Sequence, residues 1–225
     1  MNEREAREAV CEAGRRLYAK NLVAATDGNI SVRLGEDRFL CTPSGVSKGF
    51  MTPDILVIAN GRGEKVSGEG RVTSEFFTHL ACYEERPDIG AVVHAHPPYA
   101  TALTLAGVDM TLPVVPEVIM TLCAIPTAGY ATPGSREGAD VVRPWVGTYD
   151  ALLLDRHGAV TVGKTVFDAY FKMEKVEHTA LSIAAARGLG GARTLTPEMV
   201  VKLMAVYTHG AEPPVPYPFP LVSAD

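Results

Sequence analysis

The spacing of apolar residues separates helical from extended segments along the chain. Apolar residues recur every three or four positions from Ala6 to Leu17, which places them on one face of a helix. Asn2 and Glu5 stand just before this stripe at the spacing of a capping box. The chain is therefore predicted to open with an amphipathic helix.

A second pattern follows, in which apolar and polar residues alternate. Residues 30–34 alternate in this way, and the turn residues 35–37 lead into the apolar run 39–41, which predicts an antiparallel hairpin. Residues 55–58 and a short segment ending at Val66 predict two further strands.

Helical and extended segments alternate through the rest of the chain, and proline and glycine mark their ends. The predicted elements are a helix capped by Thr73 or Ser74 with Glu75 in its first turn, a strand over 91–96, a helix over 98–105, a short segment over 117–120, a helix over 135–146, strands over 151–154 and 159–162, a helix over 165–187 and a helix over 196–208. This pattern predicts one α/β domain over residues 1–225, with a largely antiparallel sheet and a proline-rich tail over 212–225.

Composition and charge exclude several classes of protein. A chain of 225 residues can bury a core without disulfides or a structural metal, and its four separated cysteines are expected to be reduced, mostly buried thiols. The net charge of −5 and the lack of a basic run argue against nucleic-acid or anionic-membrane binding. No apolar window approaches the ~18 residues of a membrane span, and the charged N-terminus does not resemble a leader. We expect a cytoplasmic protein.

The candidate chemistry centres on two histidines at the end of the strand over 91–96. Because side chains alternate along a strand, His94 and His96 project to the same side, at a separation suited to two imidazoles on one cation. The alternative is a pair of exposed or hydrogen-bonded histidines at a strand end. Residues elsewhere in the chain must decide between these interpretations.

His157 supplies a third imidazole at a strand junction. It follows an apolar strand and precedes Gly158, where a missing side chain lets backbone segments approach closely. Three imidazoles leave one position open, the pattern of a catalytic rather than a structural Zn²⁺ site. Glu75 and His79 share one helix face, so either could be the fourth ligand, although His79 also fits a packed role in the core.

Short hydroxyl and amide side chains recur in glycine-containing turns and at a predicted helix start, which indicates an anion site. Backbone N–H groups in such turns and at helix N-termini bind phosphate well. Ordinary turn and capping roles remain the alternative for each segment taken alone. The residues concerned are Thr26, Gly28, Asn29, Ser44, Gly45, Thr73 and Ser74.

A set of motifs, in their order and spacing, resembles the class II sugar-phosphate aldolases that include fuculose-1-phosphate aldolase, together with ribulose-5-phosphate 4-epimerase. The resemblance runs from the first helix to about residue 190. The motifs are Gly28-Asn29-Ile30-Ser31, Thr42-Pro43-Ser44-Gly45, Thr73-Ser74-Glu75-Phe76-Phe77-Thr78-His79, Val93-His94-Ala95-His96, Tyr130-Ala131-Thr132-Pro133-Gly134 and His157-Gly158.

The resemblance implies a fold, an assembly and a site. The fold is a three-layer α/β/α sandwich with a central, mainly antiparallel sheet, and the assembly is a C4 homotetramer with active sites between subunits. Zn²⁺, or alternatively Mn²⁺ or Co²⁺, is expected on His94, His96 and His157, with Glu75 as remaining ligand and catalytic base. The residues that the resemblance assigns to substrate phosphate are Asn29, Ser44, Gly45, Thr73 and Ser74.

Glu117 marks the one departure from the aldolase pattern that concerns catalysis. It occupies the stretch in which fuculose-phosphate aldolase carries the tyrosine that reaches into the neighbouring active site as general acid. Glu117 either donates the proton, shapes the aldehyde pocket, or is an exposed glutamate at a helix start. The aldehyde partner therefore stays open.

The implied activity is that of a metal-dependent aldehyde-lyase of carbohydrate metabolism. Its substrate would be a ketose 1-phosphate, such as L-fuculose 1-phosphate or a 5-deoxypentulose 1-phosphate, cleaved reversibly to dihydroxyacetone phosphate and an aldehyde. Alternatives on this fold are a keto-acid phosphate decarboxylase and a sugar-phosphate 4-epimerase, although epimerases carry aspartate in place of Glu75. A non-catalytic module like the adducin head is the alternative of another class, and the three histidines argue against it.

Overall fold

The computed structural model describes residues 2–207, so the predicted proline-rich tail over 212–225 lies outside the described residues. The helices are α1 (Glu3–Ala19), α2 (Phe76–Glu85), α3 (Pro98–Leu105), α4 (Pro116–Leu122), α5 (Glu137–Val146), α6 (Val166–Gly188) and α7 (Pro197–Tyr207). The strands are β1 (Asn29–Gly35), β2 (Arg38–Cys41), β3 (Val57–Ala59), β4 (Lys65–Ser67), β5 (Ala91–Ala95), β6 (Thr127–Ala128), β7 (Ala151–Leu154) and β8 (Gly158–Gly163).

The strands form one eight-stranded sheet in the order β4-β3-β2-β1-β5-β8-β7-β6. Every neighbouring pair is antiparallel except β6 and β7, which are parallel. The predicted mainly antiparallel sheet is confirmed. Its central strands β1, β5 and β8 come from distant parts of the sequence, and this order is what brings the candidate residues together.

Helices cover both faces of the sheet. On one face α1, α3 and α6 pack against apolar side chains such as Ile30 and Val93. On the other face α2 and α5 pack against Val92 and Val160, and the two helices contact each other. Since neighbouring residues of a strand point to opposite faces, each central strand contributes to both cores. The three-layer α/β/α arrangement is confirmed.

Local signals account for where α1 and α6 begin. The Asn2 side-chain oxygen accepts from the N–H of Glu5 at 2.9 Å, and the Glu5 carboxylate accepts from the N–H of Asn2 at 3.0 Å, which is the predicted capping box. The Thr165 hydroxyl oxygen accepts from the N–H of Asp168 at 3.1 Å at the start of α6.

Several elements of the structure differ from the predictions. The cap predicted at Thr73 or Ser74 is wrong: Glu75 is the N-cap of α2 rather than a member of its first turn, because the Phe76 N–H already bonds the Thr73 carbonyl in the preceding turn, at 3.2 Å. Residues 53–55 form a 3₁₀ turn that begins at a proline, so the strand expected over 55–58 starts at Val57. The helix expected from residue 135 starts at 137, and the two-residue β6, too short to show a period, was not predicted.

The cysteines and the helices can each be compared with the predictions from sequence. Cys11, Cys41 and Cys82 are free and buried, as predicted, and Cys123 is partly buried. Burial raises the pKa of the Cys41 thiol, which keeps it protonated and unreactive. None of the helices in residues 2–207 combines the length and the apolar character needed to cross a bilayer.

Candidate metal centre

The antiparallel order of β1, β5 and β8 places four side chains at one end of the sheet. The start of β1, the end of β5 and the start of β8 coincide there, and Asn29 of β1 pairs directly with His94 of β5. His96 lies one residue beyond β5, on the same face as His94, and His157 lies one residue before β8. Because β5 and β8 are antiparallel, the end of β5 lies beside the start of β8, and histidines from two distant sequence segments form one cluster.

Gly158 is what allows His157 to approach β5. A Cβ at this position would collide with the Ala95 carbonyl oxygen and would lie 3.0 Å from the His96 ring. The absent side chain therefore sets the distance between the start of β8 and the end of β5, as the sequence predicted. The ring centroids of His96 and His157 are consequently 4.8 Å apart.

Glu75 completes a compact group of four potential ligands. One ligand atom from each of Glu75, His94, His96 and His157 lies within 4.8 Å of the other three. The two Glu75 carboxylate oxygens are 3.2 Å from His94 Nε2 and 3.3 Å from His157 Nε2, and His94 Nε2 is 3.0 Å from His96 Nε2. All four groups therefore face a common centre.

The protonation states of the group favour a bound cation. Burial lowers the pKa of His96 to about 3, with the charge at His94 adding to the effect, and burial likewise lowers the pKa of His157. Both rings are neutral at pH 7 and keep a lone pair to donate. Burial also lowers the pKa of His94, but the adjacent Glu75 carboxylate outweighs it and leaves the pKa raised. The Glu75 carboxylate therefore favours positive charge at this point of the site, as it would favour a bound cation.

The donor set fits a divalent metal of the zinc type. Three imidazoles and a carboxylate are ligands that Zn²⁺ accepts in catalytic sites. His94 Nδ1 donates to the Ala159 carbonyl oxygen at 2.9 Å, which leaves Nε2 free to face the centre. Asp27 lies 3.6 Å from His96 Nδ1 and can orient that ring in the same way. The residues present therefore fit the group that the resemblance implies.

Glu75 is held ionised from two sides. Burial raises the pKa of Glu75. The charge and hydrogen bond of His94, together with the charge of His157 and the hydrogen bond from Asn29, have the opposite effect and are stronger. The pKa of Glu75 therefore lies well below its ordinary value. Asn29 Nδ2 donates to Glu75 Oε2 at 2.9 Å. Asn29 was predicted from sequence only as a phosphate residue, so its contact with Glu75 was missed.

An open pocket of about 330 Å³, here named the site pocket, lies beside the group of four. All five residues that the resemblance assigned to phosphate line it, together with Glu75, His96 and His157. A β-bridge between Pro43 and Val72 and a 2.9 Å hydrogen bond from the Ser44 N–H to the Arg71 carbonyl join the segments around 44 and 73. The phosphate-assigned residues in this lining are Asn29, Ser44, Gly45, Thr73 and Ser74.

Lys48 lines the same pocket and was not predicted. Its side chain is 1% exposed, and Nζ donates to the carbonyl oxygens of Thr26 at 2.7 Å and of Val46. Burial lowers the pKa of Lys48 to about 8, and the Asp27 and Glu75 carboxylates oppose that shift. The amine is thus mostly protonated at pH 7 and brings a positive charge to the wall of an otherwise acidic pocket. A lysine three residues after Ser44-Gly45 was the available signal.

His79 does not join the group of four ligands. It is fully buried in α2, and its ring nitrogens contact Ser31 Oγ at 2.7 Å and Asn29 Oδ1 at 2.5 Å. Of the two candidates for a fourth ligand, the structure therefore places Glu75 with the histidines and His79 behind Asn29.

Glu117 lies away from the site pocket of its own chain. It is exposed in the first turn of α4 and lines a separate cavity of about 770 Å³, here named the helix pocket, which also includes Phe171, Lys175 and His178. Lys175 Nζ lies 3.4 Å from the Glu117 carbonyl oxygen. Within one chain the structure does not bring Glu117 to the predicted catalytic group.

The family becomes clear when the chain is compared with known proteins. The profile of the class II aldolase and adducin N-terminal domain matches residues 8–183. The chain belongs to this family. The matched span contains every candidate site residue from Asn29 to His157, so the class II aldolase resemblance is confirmed over the part of the chain that carries the site.

Two relatives of this class II aldolase domain carry different activities in their names. The chain is 37% identical over 166 residues to an L-fuculose phosphate aldolase of Methanococcus maripaludis, covering 74% of this chain and 89% of the relative. It is 32% identical over 184 residues to a 3-oxo-tetronate 4-phosphate decarboxylase of Haemophilus influenzae, covering 80% of this chain and 87% of the relative. Similarity alone therefore does not separate an aldolase from a decarboxylase.

Solved structures of the family agree with the fold. YgbL from Klebsiella pneumoniae superimposes with a TM-score of 0.83 at 31% identity, covering 90% of this chain and 99% of that chain. An L-fuculose-1-phosphate aldolase from Thermus thermophilus superimposes with a TM-score of 0.73 at 31% identity, covering 84% and 97%. The class II aldolase fold thus extends over most of the described residues.

Proposed function

We propose that this protein is a metal-dependent lyase that cleaves a carbon–carbon bond in a phosphorylated sugar. The favoured reaction is reversible cleavage of a ketose 1-phosphate, L-fuculose 1-phosphate or a 5-deoxypentulose 1-phosphate, to dihydroxyacetone phosphate and an aldehyde. The observation that carries the proposal is the convergence of Glu75, His94, His96 and His157 within 4.8 Å, beside a pocket lined by the residues that the resemblance assigns to phosphate.

His94, His96 and His157 would hold the metal, with Glu75 as a displaceable fourth ligand; Zn²⁺ suits this donor set, and Mn²⁺ or Co²⁺ are alternatives. When bound, a divalent cation polarises the substrate carbonyl and stabilises the negative charge that develops as the C–C bond breaks. The chain's own contribution is to supply neutral imidazoles at His96 and His157, since burial lowers the pKa of both rings.

Glu75 is proposed as the base that moves protons at the dihydroxyacetone phosphate carbon. Cleavage leaves the bonding electron pair on that fragment, and Glu75 returns a proton to the carbon; in the reverse direction it removes the proton. Its carboxylate faces the centre of the site, and the hydrogen bond from Asn29 keeps it there. A positioned carboxylate of this kind is a competent acid–base group.

The phosphate is proposed to bind at the opposite wall of the site pocket. Thr73 and Ser74 immediately precede α2, where backbone N–H groups favour an anion, and Ser44-Gly45 adds a turn with Gly45 at φ +75°. Asn29 Nδ2 carries a second hydrogen beyond the one given to Glu75, so it can serve both groups. Lys48 adds the positive charge.

Glu117 is proposed to act in the site of a neighbouring subunit. Because it is exposed and lies outside the site pocket of its own chain, it can reach catalytic groups only across an interface. A homotetramer with sites between subunits, as the resemblance implies, supplies that interface. There Glu117 would exchange the proton of the aldehyde-side hydroxyl.

A decarboxylase acting on a keto-acid phosphate is the second candidate. Loss of CO₂ next to a carbonyl leaves the same kind of carbanion equivalent as loss of an aldehyde, so Glu75 and the metal ligands would have the same tasks. The 32% identity to a 3-oxo-tetronate 4-phosphate decarboxylase favours it.

One paired assay separates the candidates. The metal-loaded protein is offered a panel of ketose 1-phosphates and 3-oxo-tetronate 4-phosphates, while dihydroxyacetone phosphate and CO₂ are measured in parallel. We expect dihydroxyacetone phosphate from at least one ketose 1-phosphate and little product from its unphosphorylated form. CO₂ release alone would transfer the assignment to the decarboxylase, and equal rates without the phosphate would reject the pocket.

A further inference from the structure

His79 is a fully buried histidine to which the proposed chemistry gives no role. It lies on α2, one turn after Glu75, behind the wall of the site pocket. Its two ring nitrogens are both engaged, Nδ1 with Ser31 Oγ at 2.7 Å and Nε2 with Asn29 Oδ1 at 2.5 Å. A buried imidazole with two defined partners has a single tautomer if the roles of those partners are fixed.

The periods of strand and helix explain why these groups meet. Asn29 and Ser31 are two residues apart on β1, so both side chains point toward α2. His79 and Tyr83 are four residues apart on α2, so both point back toward β1. The Tyr83 hydroxyl lies 2.9 Å from Ser31 Oγ, and the result is a continuous chain of hydrogen bonds from Tyr83 to Glu75.

Every bond in this chain has one allowed direction. Asn29 Nδ2 donates to Glu75 Oε2 at 2.9 Å, so Asn29 Oδ1 is the side of the amide that faces His79. His79 Nε2 must then carry the proton. Burial lowers the pKa of His79 to about 3, so the ring is neutral and Nδ1 must accept.

The outer half of the chain follows from the same rule. Since His79 Nδ1 accepts, Ser31 Oγ–H donates to it, and the Ser31 oxygen is left to accept from the Tyr83 hydroxyl. All three side chains are buried, so solvent offers no competing partner. The direction of donation therefore runs without a break from Tyr83 to the carboxylate.

We propose that His79, Ser31 and Tyr83 are positioning residues that lock the Asn29 amide with its N–H side toward Glu75. If the amide turned over, Asn29 Oδ1 would face the carboxylate and two acceptors would repel each other. The Nε2–H form of His79 prevents this because it can bond only the oxygen side of the amide. The effect on metal and phosphate binding rests on the proposed function, whereas the tautomer is a property of the fold.

The first test uses the metal-free protein and needs no substrate. In protein labelled with ¹⁵N in the histidine rings, the NMR shifts of the two nitrogens distinguish the protonated from the unprotonated one. We expect His79 protonated at Nε2 and bare at Nδ1. A wild-type His79 protonated at Nδ1 would overturn the lock.

The second test is a matched pair of amide substitutions. In His79→Gln the amide nitrogen can replace Nε2 and still donate to Asn29, whereas in His79→Asn the shorter side chain can replace only Nδ1. Zn²⁺ affinity is measured by competition with a chromophoric chelator. We expect the Gln variant to stay within about threefold of wild type and the Asn variant to lose roughly 10–100-fold, the usual effect of removing a group that orients a ligand.

Leu80→Ala controls for a merely structural effect. Leu80 is buried on α2 between His79 and Tyr83 but takes no part in the hydrogen bonds, so its truncation should lower the melting temperature without changing the Zn²⁺ affinity or the His79 tautomer. Equal losses of Zn²⁺ affinity in His79→Gln and His79→Asn would contradict the proposal that His79 orients the Asn29 amide. If the tautomer and affinities follow the expected order but no substrate of the panel is cleaved, the proposed function fails and the lock stands.

Discussion

The site pocket and the helix pocket show that volume and chemistry are unrelated in this protein. The helix pocket, at about 770 Å³, has more than twice the volume of the site pocket, at about 330 Å³. It too is lined by ionisable side chains, among them two lysines, a histidine and glutamates. Within residues 2–207, however, the potential ligands converge only at the site pocket, where four lie within 4.8 Å.

The difference comes from what carries the side chains. The site pocket takes its groups from the ends of adjacent strands and from the start of a helix, so backbone pairing fixes their directions. The helix pocket takes its groups mainly from α4 and α6, whose polar side chains point outward from the helix axes. Donor side chains meet at one point where paired backbone segments direct them there. Matched substitutions in the two pockets test this comparison.

The largest effect is expected from removing an imidazole from each pocket. His157→Ala should reduce bound metal and activity to background, because two imidazoles and a carboxylate hold a divalent cation far less tightly than the full set. The fold should persist, since a core of this size does not depend on the metal. His178→Ala, in the helix pocket, should change neither. Metal content is measured by mass spectrometry, and full occupancy in His157→Ala would contradict the assignment.

The next effect concerns the base. Glu75→Gln should retain most of the metal, because three histidines remain, but lose on the order of 10²–10⁴-fold in rate. Deuterium exchange at the dihydroxyacetone phosphate carbon should fall in parallel, since this partial reaction needs the base and no aldehyde. Exchange at the wild-type rate in this variant would assign the base to another group.

Glu117 tests whether a residue of the helix pocket takes part in catalysis. If it serves a neighbouring site, Glu117→Gln should lower sugar-phosphate cleavage by about 10²-fold, the lower end for a positioned acid–base group, and leave deuterium exchange unchanged. Glu8→Gln, which alters an exposed glutamate of α1, is the control. Equal cleavage by both variants would confine the chemistry to the site pocket of one chain.

The smallest effect is expected from the two lysines. Lys48→Met should weaken inorganic sulfate binding about tenfold, the cost of one charge-assisted contact, while Lys175→Met in the helix pocket should not. Because burial lowers the pKa of Lys48 to about 8, the amine loses its proton as the pH rises through that value. Wild-type sulfate affinity should therefore fall between pH 7 and pH 9. A pH-independent affinity would show that the Lys48 charge does not reach the anion.

The sequence predicts the part of the site that local pattern controls. His94 and His96 follow from strand alternation, and the approach of His157 follows from Gly158, because each depends on one or two neighbouring residues. The mainly antiparallel sheet and most element positions were predictable for the same reason. The family resemblance added Glu75 as the fourth member, and the structure places it there.

Other features depend on packing between distant segments and were not predictable. The position of Lys48 after Ser44-Gly45 is a local signal, but its burial depends on α1, which approaches so closely that a Cβ on Gly14 would lie 2.5 Å from the Lys48 carbonyl oxygen. The bond from Asn29 to Glu75 requires the exact placement of α2 over β1. Glu75 itself was expected within the first helical turn, but it caps the helix and so turns toward the histidines.

The central place of β1, β5 and β8 in the sheet has a consequence for how the protein opens. Each of these strands is hydrogen-bonded on both sides, whereas β4 lies at one edge of the sheet and its residues are exposed. Amide protons of the central strands should therefore exchange with solvent only through the largest, least populated openings, while the edge frays freely. Local opening at β4 can occur without disturbing His94 or Asn29. The edge of the sheet should therefore open much more often than the central strands that position the proposed metal ligands.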